Sequence, residues 1–163
     1  MPLAQGTYFI YTIKPNDTLY KISGKLGSTI EQIEQLNSLY PPFTDPGLIF
    51  PGQRLVVRYQ YNPMTQVFYF INPGDNLSNI AYRFSSDVNG LIAINPQIEN
   101  PNIIYPNQLI EVPVKIYIIA TGDTLQNIAN RFGISISSII RANQGRAGFS
   151  PDVIYPGYGI ILP

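Results

Sequence analysis

The chain has 163 residues, with ten basic and ten acidic side chains and neither histidine nor cysteine. Those absences exclude disulfides, thiolate metal sites, thiol nucleophiles and every histidine-based triad or dyad, and the balanced charge, without a Lys or Arg run, argues against nucleic acid as a partner. Apolar residues make up 45% and charged ones 12%, enough to build cores under a neutral polar surface. No apolar run approaches the ~20 residues of a membrane span, and residues 1–6 (MPLAQG) have neither the basic nor the apolar region of an export signal.

In chain order, an apolar strand-like run (YFIYTI) leads through a polar turn (PNDTL) into Leu19, Ile22 and Leu26, spaced as one face of a helix. Asp17 is the predicted N-cap. A second short helix carries Ile30, Ile33 and Leu36, with Ser28 as predicted cap and Asn37 as its end. After a loop rich in Pro and Gly, IFPGQRLVV reads as a turn and a closing strand.

The same grammar then returns twice. VFYFI, PGDNL and the helical set Leu77, Ile80 and Phe84 are followed by Val88, Leu91 and Ile94, capped at Asp87 and ending at Asn95, and then by IYPNQLIEV. IYIIA, TGDTL and the set Leu125, Ile128 and Phe132 are followed by Ile136 and Ile139, capped at Ser135 and ending at Asn143, and then by IYPGYGIIL. Asp75 and Asp123 are the matching caps of the first helices. The turn Asp and the closing Pro (Pro51, Pro106, Pro156) stand 34, 31 and 33 residues apart in the three copies. Each unit reads strand, helix, helix, strand, with its two strands paired antiparallel and both helices on one face. The fold class is α+β, and the units fall at residues 1–62, 63–114 and 115–163.

Units this small need help from packing between them. The first linker, YQYNPMTQ, can span up to ~28 Å, whereas Val114 and Lys115 hold repeats two and three close. The expectation is a fixed pair at the C-terminal side and a looser first unit.

These residues resemble the LysM family (lysin motif). The resemblance rests on Gly122-Asp123-Thr124-Leu125, Ile128-Ala129, Phe132-Gly133, residues 139–143 and Ile154-Tyr155-Pro156-Gly157, with matching patterns in the other two copies, and it covers about nine tenths of the chain. It implies a βααβ fold that binds polymers containing N-acetylglucosamine, as peptidoglycan glycan strands or chitooligosaccharides, with no cofactor. The implied groove lies between the loop after strand one and the loop before strand two. Carried over by position, the first repeat contributes Asn16, Asp17, Thr18 and Leu19 with Leu48, Ile49 and Phe50. The second contributes Gly74, Asp75, Asn76 and Leu77 with Ile103, Ile104 and Tyr105. The third contributes Gly122, Asp123, Thr124 and Leu125 with Val153, Ile154 and Tyr155.

An acetamido sugar offers an amide, hydroxyls and an apolar face, and so calls for loop backbone groups beside apolar side chains rather than charges. Two readings stand for several of these residues. The leucines are either core or sugar contacts, and the aromatics Phe50, Tyr105 and Tyr155 either stack on a sugar or pack against helix two. Asn16 and Asn107 replace Gly at turn positions where Asn tolerates left-handed backbone, Asn76 replaces Thr, and Tyr158 stands where Gln53 and Gln108 stand in the other copies.

Splitting the charge by segment gives +1, −3 and +2 for residues 1–66, 67–114 and 115–163, which makes repeat two the least suited to an anionic wall polymer. Catalysis is disfavoured, because the turn aspartates are accounted for structurally and Glu31 with Glu34 reads as a solvated helix face. The alternative is a spore-coat or cell-envelope assembly protein whose modules mediate attachment to other coat or envelope proteins. The expected location is a cell wall, an extracellular space or a spore surface. The sequons at Asn16 and Asn76 fall in the groove loops, where a glycan would block binding, and this favours a bacterial source.

Overall fold

The computed structural model describes residues 3–42, 48–62 and 64–163; Asp45 in the first closing loop and Pro63 in the first linker lie outside the described residues. The first repeat forms β1 (Thr7–Thr12), α1 (Leu19–Leu26), α2 (Ile30–Asn37) and β2 (Arg54–Tyr59). The second forms β3 (Gln66–Phe70), α3 (Leu77–Arg83), α4 (Val88–Ile94) and β4 (Leu109–Glu111). The third forms β5 (Lys115–Ile118), α5 (Leu125–Phe132), α6 (Ile136–Asn143) and β6 (Gly159–Leu162). The order is βααβ three times over, and the outer strands of each unit pair antiparallel.

The helices follow the periodicity. Leu19, Ile22 and Leu26 are buried, as are Leu77 and Ile80, and Leu125 and Ile128. Their N-caps are Thr18, Asn76 and Thr124, whose side chains accept from the backbone N–H three residues on. The expected caps, Asp17, Asp75 and Asp123, are displaced by one residue because their carboxylates are already engaged in the preceding turn. The cap of α2 is likewise Thr29 rather than Ser28, while Asp87 and Ser135 cap α4 and α6 as expected.

At the end of each second helix, one asparagine clamps the helix to its closing strand. Asn37 donates to Ile33 O and Val56 O and accepts from Val56 N–H. Asn95 does the same with Leu91 O and with both backbone groups of Glu111, and Asn143 with Ile139 O and both groups of Ile161. A carboxamide can satisfy both a backbone donor and an acceptor at once, which no apolar residue at a helix end could do.

The arrangement of the repeats departs from expectation. β1 pairs in parallel with β3, in register from Thr7↔Gln66 to Ile10↔Tyr69, so that repeats one and two share one sheet of order β2-β1-β3-β4. Strand residues alternate between faces. Tyr11 and Ile13 of the first strand segment pack with Leu19, Ile22 and Ile33 of the first repeat, whereas Tyr8 and Ile10 join Val67, Tyr69 and the helix residues Leu77, Ile80 and Leu91 of the second. The helices of the two repeats therefore cover opposite faces of the shared sheet. This explains why YFIYTI and VFYFI read as nearly continuous apolar runs rather than alternating ones.

The third repeat docks through its own strands and a loop. Ile116 and Ile161 enter the core of repeat two, while Tyr117, Ile119 and Ile160 face their own helices. The N-terminal segment reaches β5 through Ala4 N–H to Ile116 O at 2.8 Å, and the loop after α6 adds to β2 through Arg54 N–H to Gly145 O at 3.0 Å and Ala147 N–H to Arg54 O at 2.9 Å. The expectation of a loose first unit is thus corrected. β3 lies beside β1 in a common sheet, and repeat one touches both partners.

Tyr158 is buried, hydrogen-bonded to Ala147 O at 2.8 Å, and its phenol is pushed up to about 12 by burial. Tyr11, Tyr69 and Tyr117 are raised as well, first by burial and then by hydrogen bonds to their aspartates. A folded-state pKa above the unfolded value near 10 gives stability that is complete below about pH 10 and lost as pH rises toward 12. Tyr158 alone should account for about 2 kcal/mol of that loss by pH 12. Urea midpoints followed across this range should fall as tyrosinate absorbance appears, and a midpoint that stays flat would contradict the assignment.

Candidate functional site

Each turn between the first strand and the first helix is held by one aspartate. Asp17 accepts from Tyr11 OH at 2.6 Å and from Lys14 N–H at 2.8 Å; Asp75 from Tyr69 OH at 2.7 Å and Asn72 N–H at 2.8 Å; Asp123 from Tyr117 OH at 2.6 Å and Ala120 N–H at 2.9 Å. The tyrosines come from the strands and lie six residues before the aspartates, so the turn is bolted to the sheet from within. A cation on the last turn of the first helix completes each cluster. Arg83 and Arg131 donate to the tyrosine oxygens at 3.1 and 2.8 Å, and Lys25 sits over the Tyr11 ring. Burial works to raise the Asp123 pKa, but hydrogen bonds from Tyr117, Ala120 N–H and Arg131 outweigh it and hold the carboxyl below its usual range.

The residue before each aspartate has positive φ: Asn16 at 69°, Gly74 at 87° and Gly122 at 90°. The closing turns repeat this at Gly52, Asn107 and Gly157, so both Asn replacements keep the left-handed backbone. The two turns of a unit are joined through one residue. Gly52 N–H donates to Ile13 O, Asn107 N–H to Ile71 O and Gly157 N–H to Ile119 O, at 2.7 to 2.8 Å. Gln53 and Gln108 brace the closing turn by accepting from Phe50 and Tyr105 N–H at 3.1 Å. Tyr158, their counterpart, instead points inward to Ala147 O.

The expected site residues differ in how far the fold exposes them. Asn16, Thr18, Gly74, Asn76, Gly122 and Thr124 are exposed at the lip of the first turn, and Asp17, Asp75 and Asp123 are half-buried beneath it. Leu19, Leu77 and Leu125 are buried, so their side chains belong to the cores. Opposite them Leu48, Ile103 and Val153 occupy one equivalent position and are 43%, 52% and 49% exposed. Ile49, Ile104 and Ile154 pack against the cores. Phe50 and Tyr105 stand out in solvent rather than against the second helix, while Tyr155 is half-buried.

In repeat three the two walls enclose a cleft of about 240 Å³ lined by Asp123, Thr124, Leu125, Pro151, Asp152, Val153 and Ile154. It offers backbone groups and a hydroxyl on one side and apolar side chains on the other, with Asp152 at the mouth. A further cleft of about 350 Å³, mostly apolar, lies between the turns of repeats one and two, where the Lys14 ammonium reaches Asn107 Oδ1. Sequence reasoning missed the tyrosines beneath the turns and the clamping role of the asparagines. The signal for both was their recurrence at equivalent positions in all three copies.

Among the described residues no group of three or more Asp or Glu side chains is placed to hold a metal ion, and no helix is long and apolar enough to cross a membrane.

The family model for the LysM domain matches residues 11–58, 69–113 and 117–163. The curated relatives include the N-acetylmuramoyl-L-alanine amidase sle1 of Staphylococcus epidermidis, 32% identical over 114 residues, a stretch that covers 64% of this chain and 33% of the amidase. The endolysin of Bacillus phage PZA is 35% identical over 102 residues, covering 63% and 37%. The secreted LysM effector ECP6 of Passalora fulva is 33% identical over 123 residues, covering 64% and 52%. The chain thus spans about a third to a half of the length of these relatives. Among solved structures, the Bacillus cereus spore cortex-lytic enzyme SleL matches with 28% identity and a TM-score of 0.45, over 65% of this chain and 23% of that one.

Proposed function

Because the chain belongs to the LysM family, matched in three tandem segments over most of its length, we propose that it is a non-catalytic binder of N-acetylglucosamine-containing polymers, peptidoglycan glycan strands or chitin. The observation that carries this reading is the repeat-three cleft, where the exposed Thr124 of the first turn faces the apolar wall of Val153 and Ile154. In this reading the sugar amide and hydroxyls meet turn backbone and the Thr124 hydroxyl, and the sugar's apolar face lies on Val153. The equivalent residues Asn16 and Thr18 with Leu48 and Phe50, and Gly74 and Asn76 with Ile103 and Tyr105, serve repeats one and two. Asp17, Asp75 and Asp123 act as positioning residues that set the turn, and Leu19, Leu77 and Leu125 contribute backbone only. The engagement of all three turn carboxylates with a tyrosine and a backbone N–H supports a non-catalytic role. The place of action is a cell wall or the extracellular space around it.

Hydrogen bonds to one sugar are each worth about 0.5–1.5 kcal/mol net, so a single groove binds weakly. Titration of 15N-labelled protein with chitooligosaccharides of increasing length and with muramidase-released peptidoglycan fragments should move the amides of residues 122–125 and 151–155. Unmoved amides in all three grooves at saturating sugar would sink the reading. Release of reducing ends from either polymer would overturn its non-catalytic part.

A further inference from the structure

Another cleft, of about 390 Å³, lies where the three repeats meet, away from the repeat-three groove. Its lining includes Arg54 from β2, Arg83 from α3 and Arg141 from α6, one guanidinium from each repeat, together with Asp75, Asn79 and Tyr82. Each arginine is held by neutral oxygens. Arg54 donates to Gln144 O; Arg83 donates to Tyr69 OH at 3.1 Å; Arg141 donates to Tyr82 O and Ser85 Oγ, both at 2.8 Å, and lies over the Tyr82 ring at 4.4 Å.

None of the three has a carboxylate within ion-pair distance, for among the described residues the one ion pair is Arg131–Asp123 at 3.2 Å. The contrast between repeats is informative. Arg131 bonds its tyrosine and also pairs with its aspartate, whereas Arg83, at the equivalent position, bonds Tyr69 without pairing to Asp75. The charged groups lining the cleft are thus three cations and one anion, and that anion already accepts from Tyr69 OH and Asn72 N–H.

Arg54 adds a second sign. Its Nε is buried with no hydrogen-bond partner, and burial, followed by repulsion from Arg83, depresses its pKa. A carboxylate or phosphate group beside such a guanidinium offsets the cost of its burial and of the neighbouring like charge.

We propose that this junction is an oxyanion site that takes a carboxylate or phosphate group borne by a wall polymer. It rests on the glycan-binding reading only for the carrier of the anion. It also revises the picture from segment charges, in which repeat two was least suited to an acidic polymer, since Arg83 of that repeat faces the cleft. An acidic polymer such as peptidoglycan with peptide stems, or one carrying phosphodiester chains, gains a contact here that neutral chitin cannot make.

The test follows arginine side-chain 15Nε resonances during titration of the full chain with muramyl dipeptide for the carboxylate source, glycerol phosphate for the phosphate source and neutral chitotriose. The expected result is that at least one anion shifts the Arg54, Arg83 and Arg141 resonances and that chitotriose does not. Asn79→Asp places a carboxylate in the cleft at a position in the first turn of α3 where a negative charge suits the helix, and it should weaken anion binding about tenfold or more. Gln144→Arg, at an exposed position on the cleft rim, should strengthen it several-fold. Resonances unmoved by both anions, or anion binding unchanged in N79D and Q144R, would overturn the proposal. Chitotriose shifts at the turn amides report on the grooves separately, so either reading can fail without the other.

Discussion

Replacing Arg146 with alanine is expected to lower stability by about 3–5 kcal/mol and to release the third repeat from the first. Arg146 lies in the loop after α6, is 4% exposed, and among the described residues has no carboxylate within ion-pair distance. Its guanidinium donates to Asn143 Oδ1 and Gly159 O in its own repeat and to Asn37 Oδ1 and Leu36 O in repeat one, and it stacks over the Tyr158 ring at 4.3 Å. One side chain thus ties together the asparagine clamps of two repeats. Truncation leaves several buried oxygens short of a donor and opens a cavity where the side chain lay.

The surrounding loop has no slack to compensate. Gly148 has φ of 71°, and a Cβ there would sit 2.0 Å from Asn37 O. Arg146→Lys should recover little, because a single ammonium cannot serve acceptors on two sides as the guanidinium fork does. Urea unfolding should show a lower midpoint in both variants, and hydrogen exchange of the β5 and β6 amides in R146A should separate from that of β1 and β3. A destabilisation under about 1 kcal/mol, with coincident exchange, would show that apolar packing alone holds the repeats together.

Placing aspartate at Leu48, Ile103 and Val153 together should reduce affinity for long glycan chains by about 10²-fold or more while leaving the fold intact. These three side chains occupy the same position in each closing loop and are about half exposed, so their replacement removes little core packing. Each change puts a desolvation-sensitive charge on the wall proposed to meet the sugar's apolar face. The shared β2-β1-β3-β4 sheet and the Arg146 bridge fix the three grooves relative to one another, so multivalent gain depends on that fixed geometry and not on linker flexibility. The single variants should each cost a fraction of the triple loss on polymer and leave binding of short oligosaccharides at the other two grooves unchanged. Sedimentation with insoluble peptidoglycan and chitin gives the comparison. A triple variant that sediments like the parent protein would remove these walls from the binding surface.

Much of each unit was legible in the sequence, and the limits of that legibility have physical causes. Leu19, Ile22 and Leu26 announce a helix because a 3.6-residue period is a local property. The capping residue was misplaced by one because Asp17 and Thr18 are both good caps, and what separates them is a contact with Tyr11 across the strand-to-helix turn. The turns were legible from threefold recurrence, and the family resemblance supplied the residues proposed to line them. Their division into exposed walls such as Val153 and buried supports such as Leu125 required knowing which face of the turn the core occupies.

By itself the sequence determined that the chain is three βααβ units with polar turns, balanced charge and none of the histidine or cysteine chemistry of many enzymes, since composition, period and turn residues act within a few positions of the chain. Only the tertiary structure decided how the units join. Three similar modules can meet in many ways, and the choice rests on a parallel strand pair, on the burial of Arg146 in a loop that reads as surface, and on docking that brings Arg54, Arg83 and Arg141 into one cleft. Those contacts link residues up to 110 positions apart, where no local pattern reaches and where burial and unmet hydrogen bonds set the outcome.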